Sequence, residues 1–557
     1  MTSRNRRLPV LLPLLLAAAT AAEPVFQPSA ERMLARTAEL GSDFYEGRGP
    51  ATLGEERSVA YLEKECRAMG LMPGNPDGTF VQAVPLLGAS SQTRSTLNLE
   101  GKKLLLTPNV DIVAPSLRSA AKRTLTDSPL IFVGYGVSAP EFGWDDYKGV
   151  DVKGKTVVML INDPPVQDTK NPGRLDPKIF GGDAMTYYGR WTYKYENAVA
   201  HGAAACLIVH ETGPAAYPFS VVVESRSREN FRLLTKDGDA AHSLVEGWLS
   251  LEAASSLLAA EGQNFAALKA ACLNRDFIPV PLKTTVSFEI DNQVREVPSR
   301  NVIALLPGTD PILSKEYVVL SAHWDHLGRD TSLKGDQIYN GALDNASGVA
   351  QILEVAQSLL SLPAAQRPKR SILFLFPTAE EKGLLGARYY AEHPLYPLDH
   401  TLADLNVDSV NVYGRTEDLT VVGYGASSIE VTAALVAKGQ GRVIMAEKHP
   451  ETGSYYRADH FEFARAGVPA FYLSSGNRFR GEAENLAEKR RKDFVTKRYH
   501  KVTDEVQPDW TCVGGAEDSA FLASLALHIA NAAEWPVWLE GNEFKARRDA
   551  MLKAAQR

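Results

Sequence analysis

The chain has 557 residues, 45% hydrophobic and 23% charged, with a formal net charge of −7. This is globular composition, with length for two to four domains, and the acid excess argues against a nucleic-acid binder. Four cysteines (Cys66, Cys206, Cys272, Cys512) are too few for a disulfide scaffold.

The first segment, 1–21, reads as a secretory signal peptide. Arg4, Arg6 and Arg7 precede an apolar run at 8–18, and Ala19-Thr20-Ala21 fits a cleavage site. No other run is long and apolar enough for a membrane anchor, so an exported chain, periplasmic or extracellular, is expected. Residues 30–70 read as two helices around a turn-rich loop, Gly41 to Gly49, and 81–115 as strand. From 116 to 275 the character changes. Apolar strands at 130–133, 156–161 and 204–209 with a short helix at 194–201 suggest a separate small α/β unit. Cys206 is expected to be a buried free thiol. Residues 213–245 read as irregular and 249–272 as one alanine-rich helix.

Beyond 276 strands and helices alternate. Strands are expected at 285–290, 302–306, 317–322, 371–376, 402–407, 419–422 and 469–473; helices at 348–362, 384–393, 429–438, 460–466 and 516–533. The fold class is therefore α/β: a mixed, mostly parallel sheet flanked by helices. A basic stretch at 475–498 reads as a solvated loop.

Acids and histidines fall just after the apolar strands, at the edge where open α/β sheets bind ligands. His323-Trp324-Asp325-His326-Leu327-Gly328 offers a metal ligand, His323, with Asp325 supporting its ring. In Asn340-Gly341-Ala342-Leu343-Asp344-Asn345, Asp344 either caps the next helix or bridges two metal ions. Glu380-Glu381 pairs two acids after the strand at 371–376. Asp408 ends an apolar strand, where a carboxylate is costly unless paired or metal-bound. His500 supplies a second histidine. Together His323, Asp344, Glu381, Asp408 and His500 are a mixed N/O donor set suited to two zinc ions sharing one carboxylate.

These motifs, with Tyr456-Arg457-Ala458-Asp459-His460-Phe461 and Tyr499-His500-Lys501-Val502-Thr503-Asp504, resemble the M28 (bacterial aminopeptidase-like) zinc peptidases. Ala458 stands where that pattern has serine. The resemblance covers 280–535 closely and 30–115 loosely. It implies two Zn²⁺ per chain, His323 and Asp408 on one, Glu381 and His500 on the other, with Asp344 bridging. Glu380 would be general base and acid, Asp325 would orient His323, and the Asp344–Asn345 peptide would be cis. His326 and His460 are given structural hydrogen bonds rather than metals, and Tyr455 or Tyr456 a place near the oxyanion. Segment 118–278 resembles a protease-associated (PA) domain inserted between 30–117 and 279–540, narrowing access to peptides. The implied activity is an aminopeptidase acting on peptide substrates. A carboxypeptidase or dipeptidase of the superfamily, a glutaminyl cyclase and a non-catalytic receptor stay open, although the 21-residue gap from His323 to Asp344 leans toward aminopeptidases. Side-chain preference and oligomeric state are not legible.

Overall fold

The computed structural model describes residues 24–555, so the signal-peptide segment lies outside the described residues. Among the described residues no helix is long and apolar enough to cross a membrane.

The fold is the expected mixed, mostly parallel sheet with flanking helices. One parallel block runs Ala470–Ser474, Thr401–Val407, Tyr317–Ser321 and Ser371–Phe376; a second runs Lys122–Phe132, Thr156–Leu160, Ala205–Val209 and Val245–Leu249. The 27-residue strand Val280–Leu306 pairs antiparallel with Ser371–Phe376 at one end and Lys122–Phe132 at the other. The strands of 118–278 thus continue the same sheet.

The strand sequences explain the layering. Val302, Ala304, Leu306, Val318, Leu320, Ile372, Phe374 and Phe376 enter one core with the helices Ala30–Leu40, Ser347–Leu360 and Val513–Asn531. Their neighbours Ile303, Val319, Leu373 and Leu375 enter another with Tyr390 and Phe463, from the helices Leu385–Glu392 and His460–Ala466. Uninterrupted apolar runs are what a strand covered on both faces requires. The second block repeats this: Leu130, Phe132, Val158, Leu160 and Leu207 face one cluster, Ile131, Val157, Met159 and Cys206 the other. All four cysteines are free and buried.

Three segments differ from expectation. The region 213–245 holds a helix, Phe219–Arg226, and a strand, Asn230–Leu233, which a run of valines without helical period concealed. The alanine-rich stretch is two helices, Leu251–Ala260 and Phe265–Ala271, parted where Gly262 takes φ +71. The basic stretch carries a helix, Leu486–Lys497, supported by Lys497–Asp493 and Arg491–Glu488 pairs.

Asp404, in the central strand Thr401–Val407, is fully buried; Ser321 Oγ donates to its Oδ1 at 2.9 Å, and Oδ2 has no partner. Burial pushes its carboxyl up to about 8. The unfolded chain ionises there near pH 3.9, so between about pH 4 and 8 the unfolded state has released a proton that the folded state keeps. Stability falls as pH rises through that window, by up to about 1.4 kcal/mol per pH unit. Asp404→Asn removes this dependence. Urea unfolding at pH 5 and pH 8 should show the variant gaining on the wild type with pH, and a constant difference would contradict the assignment.

Candidate metal centre

Every sequence-predicted site residue lies beyond the C-terminal end of a strand of the first parallel block or on a loop packed against those ends. His323 follows Tyr317–Ser321 by two residues, Asp408 follows Thr401–Val407 directly, and Glu380 and Glu381 follow Ser371–Phe376. Asp344 and Asn345, joined by a cis peptide, precede the helix Ser347–Leu360. Asn345, not Asp344, caps that helix: its Oδ1 accepts from Gly348 N at 3.1 Å and from Ser409 N at 3.2 Å. Its Nδ2 donates to Val407 O at 3.2 Å, so one side chain ties the Asp344 and Asp408 loops together. Asp504 does the same from the His500 side, accepting from Leu343 N and Asp344 N at 3.1–3.2 Å. The loops are strained where they present these groups. Ala379, Ser409 and His500 have φ of +52, +55 and +57, a region costly for residues with a Cβ and frequent at functional sites.

Arg48 holds the centre from behind. It is 1% exposed, and its guanidinium donates to Trp324 O, Leu40 O and Gly341 O at 2.8 Å and to Asn340 O at 2.5 Å. It therefore clamps the His323 and Asp344 loops to the N-terminal helix Ala30–Leu40. Burial lowers its pKa to about 10, against the raising influence of Asp504, Asp325, Asp344 and Glu381.

The donors converge. His323 Nε2 stands 3.4 Å from Asp344 Oδ1, 3.6 Å from Asp408 Oδ1 and 3.8 Å from Glu380 Oε2. His500 Nε2 stands 3.5 Å from Asp344 Oδ2 and 2.9 Å from Glu381 Oε2. His323 Nε2 is buried and makes no hydrogen bond. Donors about 2.0–2.2 Å from a tetrahedral zinc lie about 3.3–3.6 Å from each other, so the spacing around His323 is that of co-ligands. Two donor groups capable of holding an ion emerge, His323–Asp344–Asp408 and His326–Asp344–Glu381, with Asp344 in both. His326 is the member the sequence reading left out: its Nδ1 hydrogen-bonds Glu381 Oε1, and its ring stands 5.8 Å from that of His500. The residues thus fit a pair of zinc-type cations.

The electrostatics agree. Burial pushes Asp344 up, as does Glu381, yet His323 and His500 pull it down to about 2. Burial works against protonating His500, but Glu381 and Asp344 raise it to about 10. Burial, with Glu381 and Asp408 adding to it, raises Glu380 well above the carboxylate range.

The supporting contacts sharpen several roles. His323 Nδ1 meets the backbone carbonyl of Asp325 at 3.1 Å; the Asp325 carboxylate is 3.6 Å away and accepts from Glu380 N at 3.0 Å, so it steadies Glu380 as well. Ser225 Oγ, on the helix Phe219–Arg226, lies 2.7 Å from His500 Nδ1, and Lys382 Nζ donates to Ser225 O at 2.8 Å. Only the folded helix reveals Ser225. His460 makes no hydrogen bond; its ring packs on Tyr455 and Tyr472, and burial lowers it to about 3. Tyr456 donates to Glu543 and the buried Tyr455 hydroxyl has no partner, whereas Tyr472 and Tyr499 border the cavities beside the centre. One cavity, of about 280 Å³, opens beyond Asp408 among Val410, Tyr413, Val422, Tyr472 and Phe479. A smaller one, of about 80 Å³, lies on the Glu380–His500 side.

A mixed N/O metal centre at the C-terminal edge of a largely parallel sheet defines the class. Residues 301–525 match the model of Peptidase family M28. A vacuolar membrane protease of Tuber melanosporum is 32% identical over 118 residues, 21% of this chain and 11% of that protein. Aminopeptidase NAALADL1 of Mus musculus is 31% identical over 131 residues, 23% of this chain and 16% of that protein. The chain thus spans under a fifth of the length of these curated relatives. The solved aminopeptidase from Aneurinibacillus sp. strain AM-1 superposes over 91% of this chain and 96% of its own, with a TM-score of 0.52 at 17% identity, and shares the fold.

Replacing Arg48 by Met strands four buried carbonyls. Denaturant unfolding should show a loss of at least about 3 kcal/mol; a loss under about 1 kcal/mol would mean the clamp is dispensable.

Proposed function

We propose that the chain is an exported aminopeptidase with two zinc ions, His323 and Asp408 holding one, Glu381 and His500 the other, and Asp344 shared between them. The observation that carries this reading is that the two oxygens of Asp344 face different histidines, at 3.4 and 3.5 Å. His326, bonded to Glu381, then orients that carboxylate. Bound there, zinc supplies Lewis acidity toward a carbonyl oxygen and lowers the pKa of a water.

The chain's own groups do the rest. Glu380 Oε2 lies 3.8 Å from His323 Nε2, on the side facing the centre, and Glu380 is steadied through its backbone by Asp325. It takes the proton of the attacking water and returns it to the leaving amine. With Nε2 of His500 on a metal, its Nδ1 carries the ring proton, and Ser225 Oγ at 2.7 Å is placed to accept it. The cavity beyond Asp408, where Val410, Val422, Tyr472 and Phe479 stand among polar groups such as Glu447, Lys448 and Arg490, receives the first side chain, and the carboxylate-rich centre favours a free α-ammonium group. We take 118–278 as a PA-type insertion between 30–117 and 279–540. Its helix Phe219–Arg226 walls the centre and admits peptides rather than folded proteins.

Peptides and aminoacyl anilides with free amino termini should be hydrolysed and their N-acetylated counterparts spared. Chelation should abolish turnover and Zn²⁺ restore it, with two zincs per chain by elemental analysis. Cleavage confined to N-blocked peptides would reject the aminopeptidase assignment, and activity surviving full zinc removal would reject the centre. Glu380→Gln should keep its zinc yet lose about 10²–10⁴-fold in kcat; near-normal turnover would remove Glu380 from the chemistry. Ser225→Ala should weaken binding of one zinc about 10–100-fold in a competition titration, and unchanged affinity would assign Ser225 to packing alone.

A further inference from the structure

Several buried arginines among the described residues are held by acids or carbonyls. Arg48 binds carbonyls, Arg370 binds Glu316, and Arg442 binds Asp518. The small cavity on the Glu380–His500 side is bordered by three half-buried arginines, Arg190, Arg226 and Arg457. Arg226, at the end of the helix Phe219–Arg226, lies flat on Trp191 with its guanidinium carbon 3.7 Å from the ring centroid. Stacking of that kind fixes the plane of a guanidinium and leaves its N–H edge free. Arg190 faces the same indole at 5.2 Å. Among the described residues, neither guanidinium has a hydrogen-bond acceptor or an ion-pair partner. Arg457 donates from Nη2 to Ala215 O at 2.8 Å, and its buried Nε has no partner.

We propose that Arg190, Arg226 and Arg457 form a carboxylate-binding subsite, where a peptide substrate places a carboxylate on the side of the centre opposite the cavity beyond Asp408. The inference rests on the peptidase reading above and names the substrate group that reading leaves open. Three like charges half-buried around one small cavity, two of them without an acceptor, are costly by themselves. Burial and the charge of Arg457 lower the Arg190 guanidinium to about 10, a direct mark of that cost. An anion with two coplanar oxygens offsets it, because it accepts the forked N–H pairs side by side. On a peptide such a group is either the free C-terminus, one or two residues past the cleaved bond, or an Asp or Glu side chain.

The zinc-loaded full chain should be assayed with matched pairs. Leu-Leu against Leu-Leu-amide reads the terminal carboxylate; Leu-Glu-amide against Leu-Gln-amide reads a side-chain one. At least one pair should show about tenfold or greater preference in kcat/KM for the carboxylate, carried mainly by KM. The preferred pair identifies the source. Arg226→Met should collapse that ratio to under about threefold, and Arg226→Lys should keep part of it by supplying charge without the fork. Arg190→Met provides the same reading if Arg226→Met does not fold. Pairs that differ by less than about twofold in the wild type, or a preference that survives both Met variants, would overturn the subsite. If no peptide is hydrolysed, including the uncharged Leu-Leu-amide, the peptidase reading fails. Calorimetric binding of Leu-Leu against Leu-Leu-amide then decides the subsite: tighter binding of the acid supports it, and equal binding overturns it.

Discussion

The structure turns on one electrostatic constraint, the convergence of four carboxylates at a largely dry point. The side chains of Asp344, Glu380 and Glu381 are 5%, 9% and 3% exposed, and that of Asp408 is 18% exposed. Such a cluster cannot remain fully ionised without compensating positive charge. The compensation is uneven, and the unevenness divides the labour. Asp344 sits between two histidines and Glu381 beside His500 and His326, so both are held in the charged form. Glu380 has His323 at 3.8 Å and two acids for neighbours, and its carboxyl is biased toward keeping a proton.

Holding like charges together also demands mechanical restraint, and the restraint comes from hydrogen bonds between loops rather than from the sheet itself. Asn345 joins the Asp344 and Asp408 loops, Asp504 joins Asp344 to the His500 segment, and Asp325 joins the His323 and Glu380 loops. Arg48 ties two of these loops to the N-terminal helix and adds positive charge behind them. These ties add to the apolar core beneath the loops, so the positive φ of Ala379, Ser409 and His500 is sustained from several directions.

This division explains what the sequence made legible. The sheet strands are continuous apolar runs because both faces are covered, and the acids that follow them stand out against that background: His323, Glu380, Glu381 and Asp408 are visible for this reason. Asp344 is visible through its loop, although its local pattern fits a helix cap equally well, and the cap proves to be Asn345. Arg48 and Ser225 carry no such signal, whereas His326 is visible in its motif and makes the structural hydrogen bond expected of it. Arg48 acts on backbone carbonyls, which no residue type encodes. Ser225 belongs to a segment whose valine run masks a helix with no amphipathic period. His326 lies three residues from His323 in the same motif, and only the fold turns its Nδ1 toward Glu381.

The same contrast separates chemistry from selectivity. The reacting centre is built at strand ends of one parallel block, where register and pleat fix positions closely. The walls beside it come from elsewhere: a mixed apolar and polar wall from the loops beyond Asp408, and an arginine-bearing wall to which the helices Trp191–Ala200 and Phe219–Arg226 of segment 118–278 contribute. That segment is joined to the first block through the long strand Val280–Leu306 and bonded to it again at Ser225–His500 and Lys382–Ser225. Any shift of that segment therefore moves the arginine-bearing wall and the orienting partner of His500 together. Ser225, which bonds His500, and the cavity-lining Arg226 are adjacent on the one helix Phe219–Arg226, so under the proposed reading the arginine side and the metal-binding side share a single support.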